Sequence, residues 1–296
     1  MNKGIQFALI TALISGFSIF FSKIFVSKMD PVVFTTLKNI FVALILSGLL
    51  FRPTLTAQFK KLTQQDWTKL VLVGIIGGSI PFALFFTGLS MTSAVTGALI
   101  HKTLFIWVAF LAMFFLKEKL TFMQMVGYVL VLWGGMWVSG WQGLSLNRGQ
   151  QMILGATILW AIENVIAKRA LSSIPAEIVG WARMSIGAIV LIGIVIWQGK
   201  FDTMLSLSLP NIQATLVGAA FLTGYVYTWY KALAKAPVTL VSSVLTLSTI
   251  ITGLLSTQFL GQNITSSDIT SFILIAAGVF LISRLWYKET MHTSSS

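Results

Sequence analysis

The stretch FLKEKLT, at residues 115–121, returns 144 residues later as FLGQNIT, at residues 259–265. The same offset sets Gly134 on Gly278. Similarity at a fixed offset along a chain is the signature of an internal repeat. The chain is therefore predicted to contain two copies of one structural unit.

An offset of 145 residues extends this repeat toward the start of the chain, because it sets Lys23 on Lys168. The two copies are predicted to occupy residues 1–143 and 147–290. The remaining residues, 291–296, are small or polar and are predicted to form a disordered tail.

The composition places both copies in a membrane. Of the 296 residues, 56% are hydrophobic and 9% are charged, whereas soluble domains have about 25% charged residues. Apolar runs of about 20 residues, the length that a helix needs to cross the hydrocarbon core, recur along the chain. We predict ten transmembrane helices, at residues 4–26, 31–51, 68–89, 92–116, 121–140, 149–171, 176–197, 211–232, 237–260 and 266–286.

Each copy holds five predicted spans, and five is an odd number. The second copy therefore enters the membrane from the opposite side. The predicted fold class is an all-α integral membrane protein with two inverted-topology five-helix repeats around a central cavity. This architecture is typical of secondary transporters, whose two halves move about a site near the membrane midplane.

The formal net charge of +12 would suggest a nucleic-acid partner in a soluble protein. In a membrane protein it reflects topology, because Lys and Arg collect in short cytoplasmic loops. With the N-terminus inside, thirteen of the twenty Lys and Arg residues lie at cytoplasmic ends of spans and four lie on the other side. We predict a multi-pass protein of the inner membrane with both termini cytoplasmic and without a nucleic-acid partner.

The absence of cysteine excludes disulfides, thiolate catalysis and cysteine metal sites. The sequence also has no histidine and acid spacing typical of a metal site, so neither a metal nor an organic cofactor is predicted.

Three stretches together resemble the EamA-type ten-helix members of the drug/metabolite transporter superfamily. They are the span end with Leu116, Glu118 and Thr121, the glycine-rich run MVGYVLVLWGGMWVS after it, and ALAKAPVTLVSSVLTLSTIITGLLSTQFLGQNIT in the second copy. The resemblance covers nearly the whole chain, although Gln262 replaces the glutamate in the second copy. It implies that helices one to four and six to nine surround a substrate cavity, with helices five and ten at the periphery. It leaves amino acids, other small metabolites and drugs open as substrates.

Three basic residues, Lys38, Lys102 and Arg183, fall inside the predicted spans. A charge at this depth costs about 2.5 to 3.5 kcal/mol on insertion scales and usually faces a protein interior or a cavity. The offset of 145 sets Lys38 on Arg183, and Lys102 lies near the midplane of the fourth span. Glu163 lies at nearly the depth of Arg183, so we predict an ion pair or a shared water network between them.

The deep cations outnumber the deep acid, and a surplus of positive charge suits an anionic substrate group. A histidine in water titrates near physiological pH, so His101, beside Lys102, could allow proton coupling. Ser18 is the repeat mate of Glu163, and Thr246 is the mate of Lys102. The candidate substrate-binding residues are Lys102, His101, Glu163, Arg183, Lys38, Trp160, Ser18, Thr246 and Tyr227.

Structural roles remain open for several of these residues. Lys38 could extend its stem to the lipid headgroups, and Arg183 with Glu163 could form a clamp away from the substrate. His101 could be a satisfied core residue, and Trp160 and Tyr227 could be packing residues. Pro81 and Pro237 interrupt predicted spans and are candidate hinges.

The sequence thus predicts a secondary transporter, an exporter or exchanger, that moves a small polar or amphipathic metabolite by alternating access. An amino acid or another carboxylate-bearing compound fits the charges, and the sequence leaves the oligomeric state open. The first alternative is an efflux carrier for drug-like aromatic compounds. A membrane-embedded enzyme using His101 and Lys102 as base and nucleophile, and a channel, are less favoured by the repeats and the prolines.

Overall fold

The computed structural model describes residues 2–138, 146–261 and 263–294. The predicted junction between the copies, the replaced motif position Gln262 and the last two tail residues lie outside these ranges. Every regular element within them is helical.

The described part of the first copy has eight α-helices and one π-helical turn. They are α1 (Lys3–Val26), α2 (Pro31–Leu50), α3 (Pro53–Phe59), α4 (Gln64–Leu72), the π-turn Val73–Gly77, α5 (Ile80–Ser90), α6 (Ala94–Lys102), α7 (Leu104–Phe115) and α8 (Phe122–Val138).

The described part of the second copy has seven α-helices. They are α9 (Arg148–Ala170), α10 (Ala176–Trp197), α11 (Phe201–Leu205), α12 (Leu209–Lys235), α13 (Val238–Leu245), α14 (Ser248–Leu260) and α15 (Ser266–Ser294). The backbone of α15 is thus helical at residues 291–294, in the segment predicted to be a tail.

Seven helical stretches in the described ranges are long and apolar enough to cross a membrane: Lys3–Val26, Pro31–Leu50, Gln64–Ser90, Ala94–Phe115, Ala176–Trp197, Val238–Leu260 and Ser266–Trp286. A shorter apolar helix spans Phe122–Gly135. Two more helices, α9 with 23 residues and α12 with 27, have the length but also contain Glu163 and Lys231. The chain is therefore a multi-pass helical membrane protein, and the count of ten spans stays a prediction.

Side-chain caps explain where several helices begin. The Asp30 carboxylate accepts hydrogen bonds from the backbone N–H of Val32 and Val33, with Pro31 in the first turn. Asn147 and Gln150 form a capping box at the start of α9. Such caps satisfy N–H groups that have no partner within the helix.

Two spans are interrupted at equivalent positions of the repeat. The α6–α7 break falls at Thr103, whose hydroxyl donates to the Ile100 carbonyl at 2.7 Å. The α13–α14 break falls after Thr246, whose hydroxyl donates to the Ser243 carbonyl at 2.6 Å. Each break therefore has a threonine hydroxyl bound to a carbonyl of its own last turn.

The third span is interrupted more strongly, between the π-turn and α5. Pro81 has no N–H to pair with the carbonyl four residues before it, which belongs to Gly77. Beside the break, Gly78 packs directly on α10, and a Cβ on Gly78 would lie 1.9 Å from the Arg183 carbonyl oxygen. Glycine is thus required here by the close approach of two backbones.

The peripheral pair is formed by α8 and α15, which pack mainly on each other. Gly127 approaches Gly278, and the Ser271 hydroxyl donates to the Gly134 carbonyl at 2.5 Å. The 144-residue offset sets Gly127 on Ser271 and Gly134 on Gly278. The repeat therefore relates the two contacts: residues of the Gly127–Gly278 contact are the repeat mates of those in the Ser271–Gly134 contact.

A second pair of equivalent contacts involves the repeat mates Lys23 and Lys168. Lys23 donates to the carbonyls of Leu89 and Ser90 at the end of α5, at 3.0 and 3.2 Å. Lys168 donates to the carbonyls of Leu233 and Ala236 at the end of α12, at 2.6 and 2.8 Å. In each copy, a lysine from the first span thus stabilises the C-terminus of the third span.

Candidate functional site

A central cavity lies between helices of both copies. It is bounded by α1, α2, α5, α6 and α7 of the first copy and by α9, α10 and α12 of the second. Its lining residues are Ser15, Ser18, Ile19, Lys38, Phe82, Phe85, Phe86, His101, Leu104, Trp160, Asn164, Arg183, Leu222, Tyr225 and Trp229.

A lateral cavity lies between the α6–α7 and α13–α14 spans and the peripheral pair. Its walls are mostly apolar and include Val131, Leu132 and Gly135 of α8 and Ile275 of α15. Its polar lining residues are Lys102, Thr103, Thr246 and Thr249.

The nine predicted site residues are divided between these places. The central cavity contains Ser18, Lys38, His101, Trp160 and Arg183. The lateral cavity contains Lys102 and Thr246, and neither cavity is lined by Glu163 or Tyr227.

Lys38 is enclosed by aromatic rings of the first copy. Its Nζ lies 3.5 Å from the centroid of the Phe86 ring, 4.7 Å from that of Phe34 and 5.9 Å from that of Phe82. The residue is only 1% exposed, so its amino group does not extend to the headgroups. Aromatic faces attract a cation but do not neutralise it.

Arg183 approaches the same cavity from the second copy. Its Cζ lies 5.3 Å from the centroid of Phe82, and its Nε and Nη1 have no hydrogen-bond partner. Among the side chains that the structure describes, neither Arg183 nor Lys38 forms an ion pair. No acidic residue is among the described residues that line the cavity. The lining of the central cavity therefore presents two basic side chains and no acid, and the buried Glu163 lies behind one of them, Arg183.

Glu163 lies beside this wall rather than in it. Its Oε1 accepts a hydrogen bond of 2.5 Å from the Tyr230 hydroxyl, and it is 1% exposed. Among the described residues, Glu163 and Arg183 both approach Gly77, but their side chains form no direct ion pair. Among the described side chains, the direct hydrogen-bond partner of the acid is therefore Tyr230, and a water network shared by Glu163 and Arg183 stays a prediction.

Trp160 links the second copy to the interrupted third span. Its indole Nε1 donates to the Gly77 carbonyl at 2.9 Å, which is the carbonyl that Pro81 leaves unpaired. The Asn39 amide in α2 donates to the next carbonyl, Gly78, at 3.0 Å. Both carbonyls that lack a partner within the helix therefore accept a hydrogen bond from a side chain of a neighbouring span, as the membrane interior requires.

His101 packs between aromatic rings of the central cavity. Its ring centroid lies 4.9 Å from that of Trp160 and 5.3 Å from that of Phe85. Its Nδ1 has no hydrogen-bond partner among the described residues. The Nδ1 atom of this imidazole is therefore not satisfied by a protein partner among the described residues.

Lys102 connects the two cavities. It is 4% exposed and lines the lateral cavity, and its Nζ donates to the Ser15 hydroxyl at 3.1 Å. Ser15 lines the central cavity. Lys102 therefore influences the central cavity through Ser15 rather than by facing it.

The aromatic wall of the central cavity differs in part from the sequence expectation. Tyr225 and Trp229 line it, with stacked rings 5.7 Å apart, whereas the hydroxyl of Tyr227 accepts a hydrogen bond from Lys231 outside it. Phe86, Tyr225, Asn164 and Leu222 also line the cavity, although the sequence did not single them out. Tyr225 could have been found by its helical spacing to Trp229, four residues along the same face.

The motif residue Glu118 has a structural role at the end of the fourth span. Its carboxylate accepts hydrogen bonds from the backbone N–H groups of Val238 and Thr239, at 3.0 and 3.3 Å, and from the Thr239 hydroxyl at 2.7 Å. An anionic side chain from the first copy thus caps α13 of the second.

Within the described ranges, no group of three or more His, Cys, Asp or Glu residues is close enough to hold a metal ion. The chemistry that the arrangement supports is therefore recognition of a ligand by two cations, one imidazole and an aromatic wall.

Comparison with known proteins connects this geometry to a family. The model of the EamA-like transporter family matches the chain twice, at residues 2–140 and 147–284. A relative named "Uncharacterized transporter YyaM" from Bacillus subtilis is 30% identical over 58% of each chain, so the match spans little more than half of that relative. An "Uncharacterized transporter" from Clostridium kluyveri is 24% identical over 94% of this chain and 92% of the relative.

A solved crystal structure has a similar fold, with a TM-score of 0.73 over 95% of this chain and 96% of the other at 14% identity. The double match covers nearly all of the sequence, including both copies of the repeat and the helices that form the central cavity. The chain therefore belongs to the EamA-like transporter family, and its fold is that of the drug/metabolite transporter superfamily.

Proposed function

We propose that this membrane transporter is a secondary carrier that moves a small carboxylate-bearing metabolite across the inner membrane by alternating access, as an exporter or exchanger. The observation that carries the proposal is the pairing of Lys38 and Arg183 in one cavity without a lining acid. A buried cation without a counter-ion is costly, and an anionic substrate removes that cost when it binds.

The proposed site consists of Lys38, Arg183, His101, Ser18 and Trp160, which line the central cavity. Lys102 acts on this site through Ser15, and Thr246 lies with it in the lateral cavity. Glu163 stands behind Arg183 and, with His101, is the candidate for proton coupling. Tyr227 has no part in the proposed site.

The proposed transport cycle needs two inverted halves with ten spans in total. The repeat-related contacts of the α8–α15 pair support this arrangement, as do the equivalent contacts of Lys23 and Lys168. The interruption beside Pro81 supplies a point at which the third span can bend. The excess of Lys and Arg at one set of span ends supports cytoplasmic termini.

Counterflow tests the proposal. Purified protein is reconstituted in liposomes loaded with an unlabelled amino acid or carboxylate, and entry of the labelled compound is followed. A carrier accelerates the entry of label, whereas a channel does not. We expect Arg183→Gln to abolish counterflow and Arg148→Gln, at an exposed position, to preserve it. Failure of every amino acid and carboxylate to give counterflow contradicts the proposal.

The second candidate function is efflux of drug-like aromatic compounds. Phe82, Phe85, Trp160, Tyr225 and Trp229 line the central cavity and favour a planar ligand. Counterflow of neutral aromatic compounds that survives Arg183→Gln would favour this candidate over a carboxylate carrier.

A membrane-embedded enzyme is less well supported. His101 and Lys102 line different cavities, so they do not face one substrate as base and nucleophile. Recovery of chemically unchanged compound after counterflow separates transport from catalysis.

A further inference from the structure

The two cations of the central cavity are related by the repeat. Lys38 of α2 and Arg183 of α10 are aligned by the 145-residue offset. The helices that carry them pack against each other. Each copy therefore contributes one cation from an equivalent position to the same cavity.

Phe82 lies next to both cations. Its ring centroid is 5.9 Å from Nζ of Lys38 and 5.3 Å from Cζ of Arg183. The distance between Nζ of Lys38 and Cζ of Arg183 therefore cannot exceed the sum of these two distances. One small molecule can therefore reach both cations while its middle part packs on the Phe82 ring.

Charge balance distinguishes between classes of anion. A ligand with one carboxylate can contact only one of the two basic groups. On Lys38 it leaves the Nε and Nη1 donors of Arg183 unpaired, with Glu163 behind the guanidinium, and on Arg183 it leaves Lys38 without a counter-ion. A ligand with two carboxylates neutralises both. A zwitterion adds a positive group to a cavity whose described lining has no acid to receive it.

We propose that the central cavity binds a short dicarboxylate, with one carboxylate on Arg183, the other on Lys38 and the carbon chain against Phe82. This inference rests on the proposed function and narrows its substrate class. The guanidinium has two N–H donors without a protein partner, Nε and Nη1, and either can donate a charge-assisted hydrogen bond to the carboxylate. Lys38 supplies a point charge to the second carboxylate.

The unpaired imidazole of His101 lies in the same cavity and can donate to either carboxylate. A neutral imidazole adds no charge to the cavity, so Lys38 and Arg183 remain the basic groups that the ligand must pair. The site therefore discriminates by number of anionic groups and by the distance between them.

Calorimetric titration of the purified full-length chain tests this inference. The probes are succinate, glutarate and adipate, with pentanoate as a monocarboxylate of the same carbon number as glutarate. We expect the best dicarboxylate to bind at least about tenfold more tightly than pentanoate, since each charge-assisted hydrogen bond contributes that much or more.

Two variants and one control give the residue assignment. Lys38→Met and Arg183→Met should each remove the preference for the dicarboxylate over pentanoate. Lys28→Met, at an exposed position, should retain the preference. Lys38→Arg keeps the charge and should also retain it, so the inference stays testable where a methionine variant does not fold.

The outcomes separate the two proposals. Equal affinity of wild type for pentanoate and for all three dicarboxylates overturns the inference and leaves a monocarboxylate carrier. A preference that survives both methionine variants overturns it as well. Counterflow of no carboxylate at all overturns the proposed function with it.

Discussion

Glu118 and Thr239 are joined twice across the boundary between the two copies. The Thr239 hydroxyl and its backbone N–H both donate to Oε2 of Glu118, at 2.7 and 3.3 Å. Pro237 begins this turn, so the first free N–H groups of α13 belong to Val238 and Thr239. The Glu118 carboxylate therefore caps a helix of the other copy. Because Glu118 and Thr239 are 121 residues apart in the sequence, this role could not be predicted from local sequence.

Replacing Glu118 should destabilise the protein without touching the cavity. We expect Glu118→Ala to lower the free energy of unfolding by about 1 to 2 kcal/mol, the usual cost of a lost cap. Glu118→Gln keeps an acceptor oxygen and should cost less. Thermal unfolding in detergent, followed by tryptophan fluorescence, measures the difference. The exposed carboxylate Asp202→Ala is the control and should leave the midpoint unchanged.

Loss of the Trp160 indole N–H should weaken the contact between α9 and the interrupted third span. Trp160→Phe leaves the Gly77 carbonyl without a donor, because Pro81 cannot replace it. We expect a loss of about 1 to 3 kcal/mol in unfolding free energy, as for other buried unpaired carbonyls. Trp107→Phe is the matched control, since Trp107 is 36% exposed on α7. Equal effects of the two substitutions would contradict the assigned hydrogen bond.

Lys102 and Ser15 should behave as a coupled pair. We expect Ser15→Ala to destabilise the protein by about 1 to 3 kcal/mol, because it removes the acceptor of a buried ammonium group. In the Lys102→Met background the same change should cost clearly less. A double-mutant cycle on unfolding midpoints gives the coupling free energy. Strict additivity would mean that the two side chains do not interact.

A methyl group on Gly78 should prevent the third span from packing on α10. The added Cβ would lie 1.9 Å from the Arg183 carbonyl oxygen, a distance that only backbone displacement can relieve. We expect Gly78→Ala to cost about 3 kcal/mol or more, at the upper end for overpacking. Gly193→Ala in α10 has no atom within 4 Å of its new Cβ and should be neutral or stabilising. Monodisperse elution and the unfolding midpoint of both variants decide the comparison.

Burial within the protein was predictable from the sequence, because residue counts along a helix place a side chain far from either end of its span. Lys38, Arg183 and His101 were expected deep in the protein and lie in the central cavity. The internal repeat was likewise readable, and the family model matches both copies.

The direction in which a side chain faces was not predictable by counting. Consecutive helical residues are separated by about 100° around the axis, so His101 and Lys102 face different cavities despite their adjacency. Tyr225 and Tyr227 are separated by about 200° around the axis of α12 for the same reason. Tyr225, which was not among the predicted site residues, lines the central cavity, and Tyr227 does not. A span that is broken, as at Thr103, also loses the fixed phase on which such counting depends.

The sequence also did not predict which side chain contacts a given buried residue directly. Glu163 and Arg183 were expected to form an ion pair or share a water network because they lie at a similar depth. Both approach Gly77, but they form no direct ion pair among the described side chains. Tyr230, from a third helix, donates to Glu163 instead. A contact among three helices depends on how all three are rotated, and no single helix contains that information.

The interruption at Gly77 and Gly78 has a mechanical consequence for the cavity wall. An unbroken helix transmits rotation from one end to the other through its ladder of hydrogen bonds. Here that ladder is cut, and the freed carbonyls are fastened to α2 and α9. We therefore expect torsion in α4 at one end of the span to be transmitted only weakly to α5, which carries the phenylalanines of the cavity.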